Sequence, residues 1–323
     1  MKRLLVAALA ALSAPLAIAQ DAYPSRPVTM IVPFPPGGVA DLTARAIAPS
    51  MEKVLKQPIV AINRTGAGGE VGYEAVAKAR PDGYTILMAL SSVTIAPESH
   101  RLFDRQPKYE MSQLAPIALL SADPTVLVVR GDSPYRSVKD FIDAARANPG
   151  RINYSSSGVY GTLHVAMEML AHAAGVQFWH VPYQGAGPAI TALLGGQVEA
   201  LASGPSAVIA HVKSGKFRPL AGWGSKRLAA LPDLPTFREL GLDVEFYIWA
   251  GMFAPAGTSE PVMKTLRDAA RQAANDADFR GRMENLATPI AYLDAPEFAA
   301  FVERDAKMLA AALKRIGRIE DKK

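Results

Sequence analysis

The sequence predicts an α/β protein of two lobes, each built on a mainly parallel sheet. Short β-rich runs alternate with amphipathic helical patterns along almost the whole chain, which is typical of helices packed on such sheets. The 323 residues exceed the size for which one hydrophobic core usually suffices. Half of the residues are hydrophobic and a fifth are charged, which excludes a disordered, collagen-like or coiled-coil chain. No low-complexity linker separates the halves, so we expect strands to join the lobes.

The amino terminus has the pattern of an export signal. Lys2 and Arg3 precede an apolar run over residues 4–16, and the small residues Ala17 and Ala19 then form a cleavage site. The apolar run is too short to cross about 30 Å of hydrocarbon. We therefore predict a signal peptide over residues 1–19, a mature chain that begins at Gln20, and a periplasmic location.

The first β-rich and helical runs predict a βαβαβ unit. Strands are expected at Val28–Phe34, Pro58–Ile62 and Thr85–Leu90. Between them we expect one helix capped by Asp41 and another through Glu74–Ala79. This unit begins the first predicted lobe, which comprises residues 20–121 and 248–323.

A second series of elements predicts the other lobe, residues 122–247. The expected strands are Thr125–Val129, Ile152–Tyr154, His180–Tyr183, Val198–Leu201 and Phe217–Gly222, with helices that include Ser137–Ala147 and Thr162–Ala174. Three helices then complete the first lobe: Pro261–Asn275, Asp278–Ala287 and Pro296–Ile316. The second lobe is thus predicted to be inserted into the first.

Three strand-to-helix turns are rich in small residues and hydrogen-bond donors: Pro33–Asp41, Leu90–Thr94 and Tyr154–Thr162. Glycine lets a ligand approach the backbone, and a helix start presents unpaired N–H groups that favour anions. Neutral donors can hold a carboxylate without the cost of burying a counter-charge. Such turns lie at the carboxyl ends of strands, where α/β proteins bind ligands. Ordinary turns and serine helix caps remain the alternative interpretation.

Several classes of function lack their residues in this chain. Without cysteine there is no disulfide, thiol catalysis, zinc–cysteine site or iron–sulfur cluster. The glycine-rich run over residues 66–72 does not have dinucleotide-binding spacing, the five histidines are spread out, and the basic residues of this +5 chain are mostly scattered. We therefore expect no cofactor, no metal, no nucleic-acid partner and no catalytic residues. A secreted serine hydrolase remains an alternative, resting on the serine-rich turns and His164.

Five blocks of sequence, in chain order, resemble the tripartite tricarboxylate transporter receptors, also called Bug proteins. They are YPSRPVTMIVPFPPGGVAD at 23–41, NRTGAGGEVG at 63–72 with PDGYT at 81–85, HVPYQGAGPA at 180–189 with LGGQV at 194–198, LPDLPT at 231–236, and FAPAGT at 253–258. The similarity covers nearly the whole predicted mature chain. It implies a type II periplasmic binding protein of the "Venus flytrap" kind, whose two lobes close over a ligand.

The resemblance also implies a function and a set of binding residues. The expected function is capture of a small organic carboxylate and delivery to the large and small membrane subunits of a tripartite tricarboxylate transporter. An adaptor for a membrane sensor kinase would use the same pocket, and a monomer is expected. The implied ligand-binding residues are Phe34, Gly37, Gly38, Val39, Ala40, Asp41, Ser91, Ser92, Ser156, Ser157, Gly158, Tyr160, Thr162, His164, Gly185 and Ser203. The family often has a hydroxyl residue where this chain has Ala40, which favours backbone N–H donors in the first turn.

Overall fold

The computed structural model describes residues 23–318 and contains two β-sheets flanked by helices. The strands are β1 (Val28–Val32), β2 (Ile59–Asn63), β3 (Thr85–Leu90), β4 (Leu114–Pro124), β5 (Val126–Arg130), β6 (Asn153–Ser156), β7 (Trp179–Pro182), β8 (Ala200–Ser203), β9 (Phe217–Gly222), β10 (Tyr247–Pro255) and β11 (Ile290–Asp294). The helices are α1 (Val39–Leu55), α2 (Glu70–Ala77), α3 (Ser92–Leu102), α4 (Val138–Ala147), α5 (Thr162–Ala174), α6 (Ala186–Leu194), α7 (Pro205–Lys213), α8 (Glu260–Asn275), α9 (Ala277–Asn285) and α10 (Ala295–Ile316). The predicted signal peptide and Gln20 lie outside the described residues.

Each sheet forms the centre of one lobe, and both sheets are mixed. The strand order is β11-β4-β10-β3-β1-β2 in the first sheet and β7-β6-β8-β5-β9 in the second. Strand β1 is parallel to β2 and β3, whereas β10 is antiparallel to β3 and β4. In the second sheet β6 has parallel neighbours and β5 has antiparallel ones. The two-lobed α/β prediction is confirmed, but the sheets are not mainly parallel.

The antiparallel pairs follow from how the chain passes between the lobes. It leaves the first sheet along β4 and enters the second along β5, with Thr125 alone between the two strands. It returns through residues 223–246 and enters the first sheet along β10, which therefore runs against β4. The two crossing segments are hydrogen-bonded to each other, since Trp223 N–H donates to Thr125 O at 2.8 Å. These paired segments connect the two lobes and are named the hinge segments.

Helices cover both faces of the first sheet. Helix α1 packs against α8 and α9, while α10 packs on β4 and against α3. Strand β10 is tied to α10 because Trp249 Nε1 donates to Asp305 at 2.7 Å, and burial raises the pKa of Asp305 to about 6. Helix α10 also contacts α5 of the second lobe. Within residues 23–318, no helix is both long and apolar enough to cross a membrane.

Candidate functional site

Six helices begin where the two lobes meet, and none of them has a side-chain cap. Glycine occupies the N-cap of five of these six, at Gly38, Gly69, Gly161, Gly185 and Gly204, and Ser91 occupies the sixth. The four helices that begin elsewhere in the described chain have a polar N-cap residue; Ser137 and Asp276 make a side-chain cap, whereas Ser259 and Asp294 do not. The first N–H groups of a helix have no partner inside the helix. At α2 these groups are used by the preceding turn, since Glu70 N–H donates to Ala67 O and Val71 N–H to Gly66 O. The other five helix starts line the boundary between the lobes with backbone donors that suit an anion.

The first turn, between β1 and α1, is shaped by a buried carboxylate. Asp41 accepts from Gly37 N–H at 3.1 Å, Arg45 Nε at 2.9 Å and Asn63 Nδ2 at 2.9 Å. The Asn63 amide also donates to Phe34 O at 2.8 Å. Gly37 has φ of +86°, a conformation that glycine adopts without strain. Asp41 thus fixes the turn, and Arg45 offsets the negative charge that would otherwise oppose an anionic ligand.

The first turn packs tightly against the second lobe. A Cβ placed on Gly204 would lie 2.4 Å from Val39 Cγ2, and a Cβ placed on Gly185 would lie 2.4 Å from Pro35 Cδ. Such distances are shorter than any ordinary carbon–carbon contact. Glycine at these two positions therefore permits the lobes to close to their observed separation.

The turn after β3 contributes two hydroxyl groups. The Ser91 hydroxyl donates to Thr162 Oγ1 of the second lobe at 3.4 Å, a long hydrogen bond between two fully buried groups. Ser92 Oγ lies 2.6 Å from the Tyr73 hydroxyl, and burial raises the pKa of Tyr73 well above its usual value. Ser92 is thus engaged by its own lobe, whereas Ser91 and Thr162 are weakly paired and face each other across the boundary.

In the second lobe, the turn between β6 and α5 is folded around its own side chains. Ser156 Oγ accepts from Gly158 N–H at 3.1 Å and lies 2.6 Å from His180 Nε2. Tyr160 N–H donates to His164 Nδ1 at 3.1 Å. Gly158 and Tyr160 both have positive φ, +125° and +53°. These hydrogen bonds hold the backbone of the turn in a conformation that only glycine adopts readily.

Two stacked imidazoles lie under this turn. The rings of His164 and His180 are 4.1 Å apart, and Tyr154 stacks on His180 at 5.1 Å. Burial and the neighbouring His164 lower the pKa of His180 to about 3. His180 is therefore neutral at physiological pH. His164 is only 1 % exposed and supports the turn through its Nδ1 atom.

Two further serines lie at the start of α7. Ser203 Oγ and Ser206 Oγ are buried and have no hydrogen-bond partner among residues 23–318. A Cβ placed on Gly204, which lies between them, would meet Val39 and Ile248 of the first lobe. A buried hydroxyl without a partner is costly. These two hydroxyls are therefore available to a polar ligand between the lobes.

The sixteen residues expected at the ligand all lie on the turns at this boundary or on the helices that start there. The sequence did not point to the residues that hold these turns in shape: Arg45, Asn63, Tyr73 and His180. Asn63 and His180 do occur within the blocks that resemble the family, and only that resemblance could have pointed to them. The assignment of the sixteen to ligand contact stays a prediction.

A cavity of about 450 Å³ opens at the rim of the boundary. Its walls come from the first lobe, at Gly68, His100 and Phe103, and from the second, at Tyr160 and Tyr183. A larger groove of about 920 Å³ lies on the outer face of the second lobe, between α4 and residues 230–242. That groove contains none of the turns described above. In residues 23–318 no three His, Asp or Glu side chains gather as a metal site would require.

Two lobes that meet over a boundary lined with uncapped helix starts define a two-lobed solute-binding protein. Residues 43–318 match the family model described as the tripartite tricarboxylate transporter family receptor, TctC. The chain belongs to this family, as its sequence blocks predict. Because these proteins are receptors and not enzymes, the prediction of no enzymatic activity is confirmed and the hydrolase alternative is wrong.

Solved structures of periplasmic binding proteins are similar over nearly the whole chain. BugD has a TM-score of 0.86 at 34 % identity, covering 91 % of this chain and 98 % of that one. MatC from Rhodopseudomonas palustris, solved with bound malate, has a TM-score of 0.83 at 30 % identity, covering 90 % and 99 %. A second R. palustris protein, solved with adipate, has a TM-score of 0.86 at 28 % identity, covering 91 % and 98 %.

Proposed function

We propose that this protein is a periplasmic receptor that captures a small organic carboxylate between its lobes and delivers it to a tripartite tricarboxylate transporter. The observation that carries the proposal is the set of five helix starts at the boundary, those of α1, α3, α5, α6 and α7, whose first N–H groups have no side-chain cap. They supply N–H donors from both lobes to the boundary between them. Malate and adipate, bound by two proteins of similar structure, are both carboxylates.

Recognition would use neutral donors rather than a buried cation. The N–H groups at the start of α1 and the hydroxyls of Ser91, Thr162 and Ser203 would donate hydrogen bonds to the carboxylate oxygens. A hydrogen bond to a charged group contributes about 1.5–3 kcal/mol. In this scheme Asp41 positions the first turn through Gly37, because its two oxygens already accept three hydrogen bonds.

Lobe closure follows from where these donors lie. Donors from both lobes converge, so a ligand makes its full set of contacts only in the closed form. We propose residues 20–121 with 248–323, and residues 122–247, as the two moving units, since the boundaries near 122 and 247 fall close to the hinge segments. The transporter's membrane subunits would then receive the closed, loaded receptor.

A thermal-shift screen of the mature protein tests the proposal. The protein is unfolded, dialysed and refolded to remove co-purified ligand, and its Tm is measured with malate, adipate and other mono-, di- and tricarboxylates. A ligand that binds only the folded chain raises the Tm as its concentration exceeds the Kd. We expect a rise with at least one carboxylate and none with the matching amide. A folded protein that responds to no carboxylate, or equally to the amide, would contradict the proposal.

A further inference from the structure

We propose that Gly317 and Arg318, just after α10, form with Phe103 a latch that holds Tyr160 of the second lobe and stabilises lobe closure. The latch comprises these four residues. The inference rests on the proposed function only in that closure serves ligand capture, because the contacts themselves join the two lobes whatever the ligand is. Arg318 is a positioning residue in this scheme, since it acts on closure through Phe103 and Gly317.

The central contact of the latch crosses between the lobes. The Tyr160 hydroxyl donates to Gly317 O at 3.0 Å, and the Tyr160 ring packs edge-on against Phe103 with centroids 5.8 Å apart. Tyr160 is 8 % exposed. By comparison, the Ser91–Thr162 hydrogen bond across the same boundary is longer, at 3.4 Å. The latch therefore contributes the shorter of these two links between the lobes.

Arg318 fixes the first-lobe side of the latch. Its Nε donates to Leu102 O, the last residue of α3, at 2.7 Å, and its guanidinium pairs with Asp104. The same guanidinium lies 5.7 Å from the centre of the Phe103 ring. Gly317, with φ of +71°, ends α10 and turns the chain toward these partners. The carbonyl that accepts from Tyr160 is thus held in place by an adjacent, anchored residue.

The second-lobe side of the latch belongs to the candidate ligand turn. Tyr160 lies in the turn between β6 and α5, and its N–H is bonded to His164. When the lobes separate, Tyr160 must leave both Gly317 and Phe103, so these contacts favour the closed form alone. Loss of one neutral hydrogen bond changes an equilibrium constant by about threefold to tenfold. The latch would raise the closed fraction of the receptor by that factor.

Small-angle X-ray scattering of the ligand-free, full mature protein tests the latch. Tyr160→Phe removes the hydroxyl and keeps the ring, and Arg318→Gln removes the anchor. We expect each to lower the ratio of closed to open molecules about threefold to tenfold, seen as a larger radius of gyration, with the Tm nearly unchanged. Arg318→Lys keeps the positive charge but loses the planar guanidinium, so its radius of gyration should lie between those of Arg318→Gln and the wild type.

Two matched variants serve as controls. The Tyr183 hydroxyl bonds to Gln197 within the second lobe, so Tyr183→Phe should leave the scattering unchanged. Arg105 also lies over Phe103, at 5.1 Å, but is exposed and is not bonded to Leu102, so Arg105→Gln should have no effect. Scattering of Tyr160→Phe and Arg318→Gln identical to wild type would overturn the latch, as would a fall in Tm without expansion. Because no ligand is added, failure of the carboxylate screen does not affect this result.

Discussion

Gly204→Ala should act as a wedge between the lobes. Gly204 has φ of −67° and ψ of 144°, which alanine adopts without strain, so the effect is steric. The added Cβ would lie 2.4 Å from Val39 Cγ2, against about 3.5–4.0 Å for an ordinary contact. Val39 is β-branched and buried in the first turn of α1, so it has little room to rotate. One of the two lobes must therefore move by about 1 Å or more.

The cost falls on the closed form because the two residues belong to different lobes. Overpacking of this kind costs about 1–3 kcal/mol. Because each 1.4 kcal/mol changes Kd about tenfold, Gly204→Ala should weaken carboxylate binding by about 5- to 150-fold. Isothermal titration calorimetry with the carboxylate that gives the largest thermal shift measures this change. Gly281→Ala, where a Cβ meets nothing within 4 Å, is the matched control.

A double-mutant cycle with Val39→Ala separates the wedge from other causes. If Val39 is the obstacle, Gly204→Ala should weaken binding much less in the Val39→Ala background than in the wild type. An unchanged Kd for Gly204→Ala would refute the closed geometry. Equal losses in both backgrounds would show that Val39 does not transmit the effect.

Three further predictions concern buried polar groups. Asp41→Ala should weaken carboxylate binding at least tenfold in calorimetry, because Gly37 N–H and its turn lose their acceptor; wild-type affinity would show that the turn needs no such support. Asp123→Asn should raise stability to urea by about 1–3 kcal/mol at pH 7.5 and by less at pH 4.5, because burial raises the pKa of Asp123 well above its usual value although Thr288 acts in the opposite direction. An equal gain at both pH values would contradict this. The pKa of His180 is about 3 in the folded chain, so this histidine becomes protonated at a higher pH in the unfolded chain than in the folded one. The free energy of unfolding therefore falls as pH drops from about 6.5 toward 3. His180→Gln should flatten the slope of urea stability between pH 6.5 and 5 by up to about 1.4 kcal/mol per pH unit, and an unchanged slope would exclude His180 as its source.

The candidate turns could be predicted from sequence because their signals are local. A β-rich run, then glycine or serine, then an amphipathic helix occupies a short stretch, as in Pro33–Asp41. Most of the assigned strands and helices lie within a few residues of the observed ones; β8, for example, begins at Ala200 rather than Val198. The observed strand β8 ends at Ser203.

Other features depend on contacts between distant parts of the chain. Strands β4 and β10 are buried on both faces, so they lack the alternation that marks a strand, and their antiparallel pairing depends on the return from the second lobe. Asn63 supports Asp41 from 22 residues away, and His180 supports Ser156 from 24. The spacing of residues in a sequence carries no information about such pairs. The latch is the extreme case, because Tyr160 and Gly317 are 157 residues apart.

A crystal structure of the mature protein with a carboxylate from the thermal-shift screen shows directly whether the ligand is held between the lobes. We expect one carboxylate group between the lobes, within hydrogen-bonding distance of the N–H groups at the start of α1 and of hydroxyls from the second lobe. No lysine or arginine side chain should touch that group. A carboxylate held by one lobe alone, or bound in the groove beside α4, would contradict capture between the lobes.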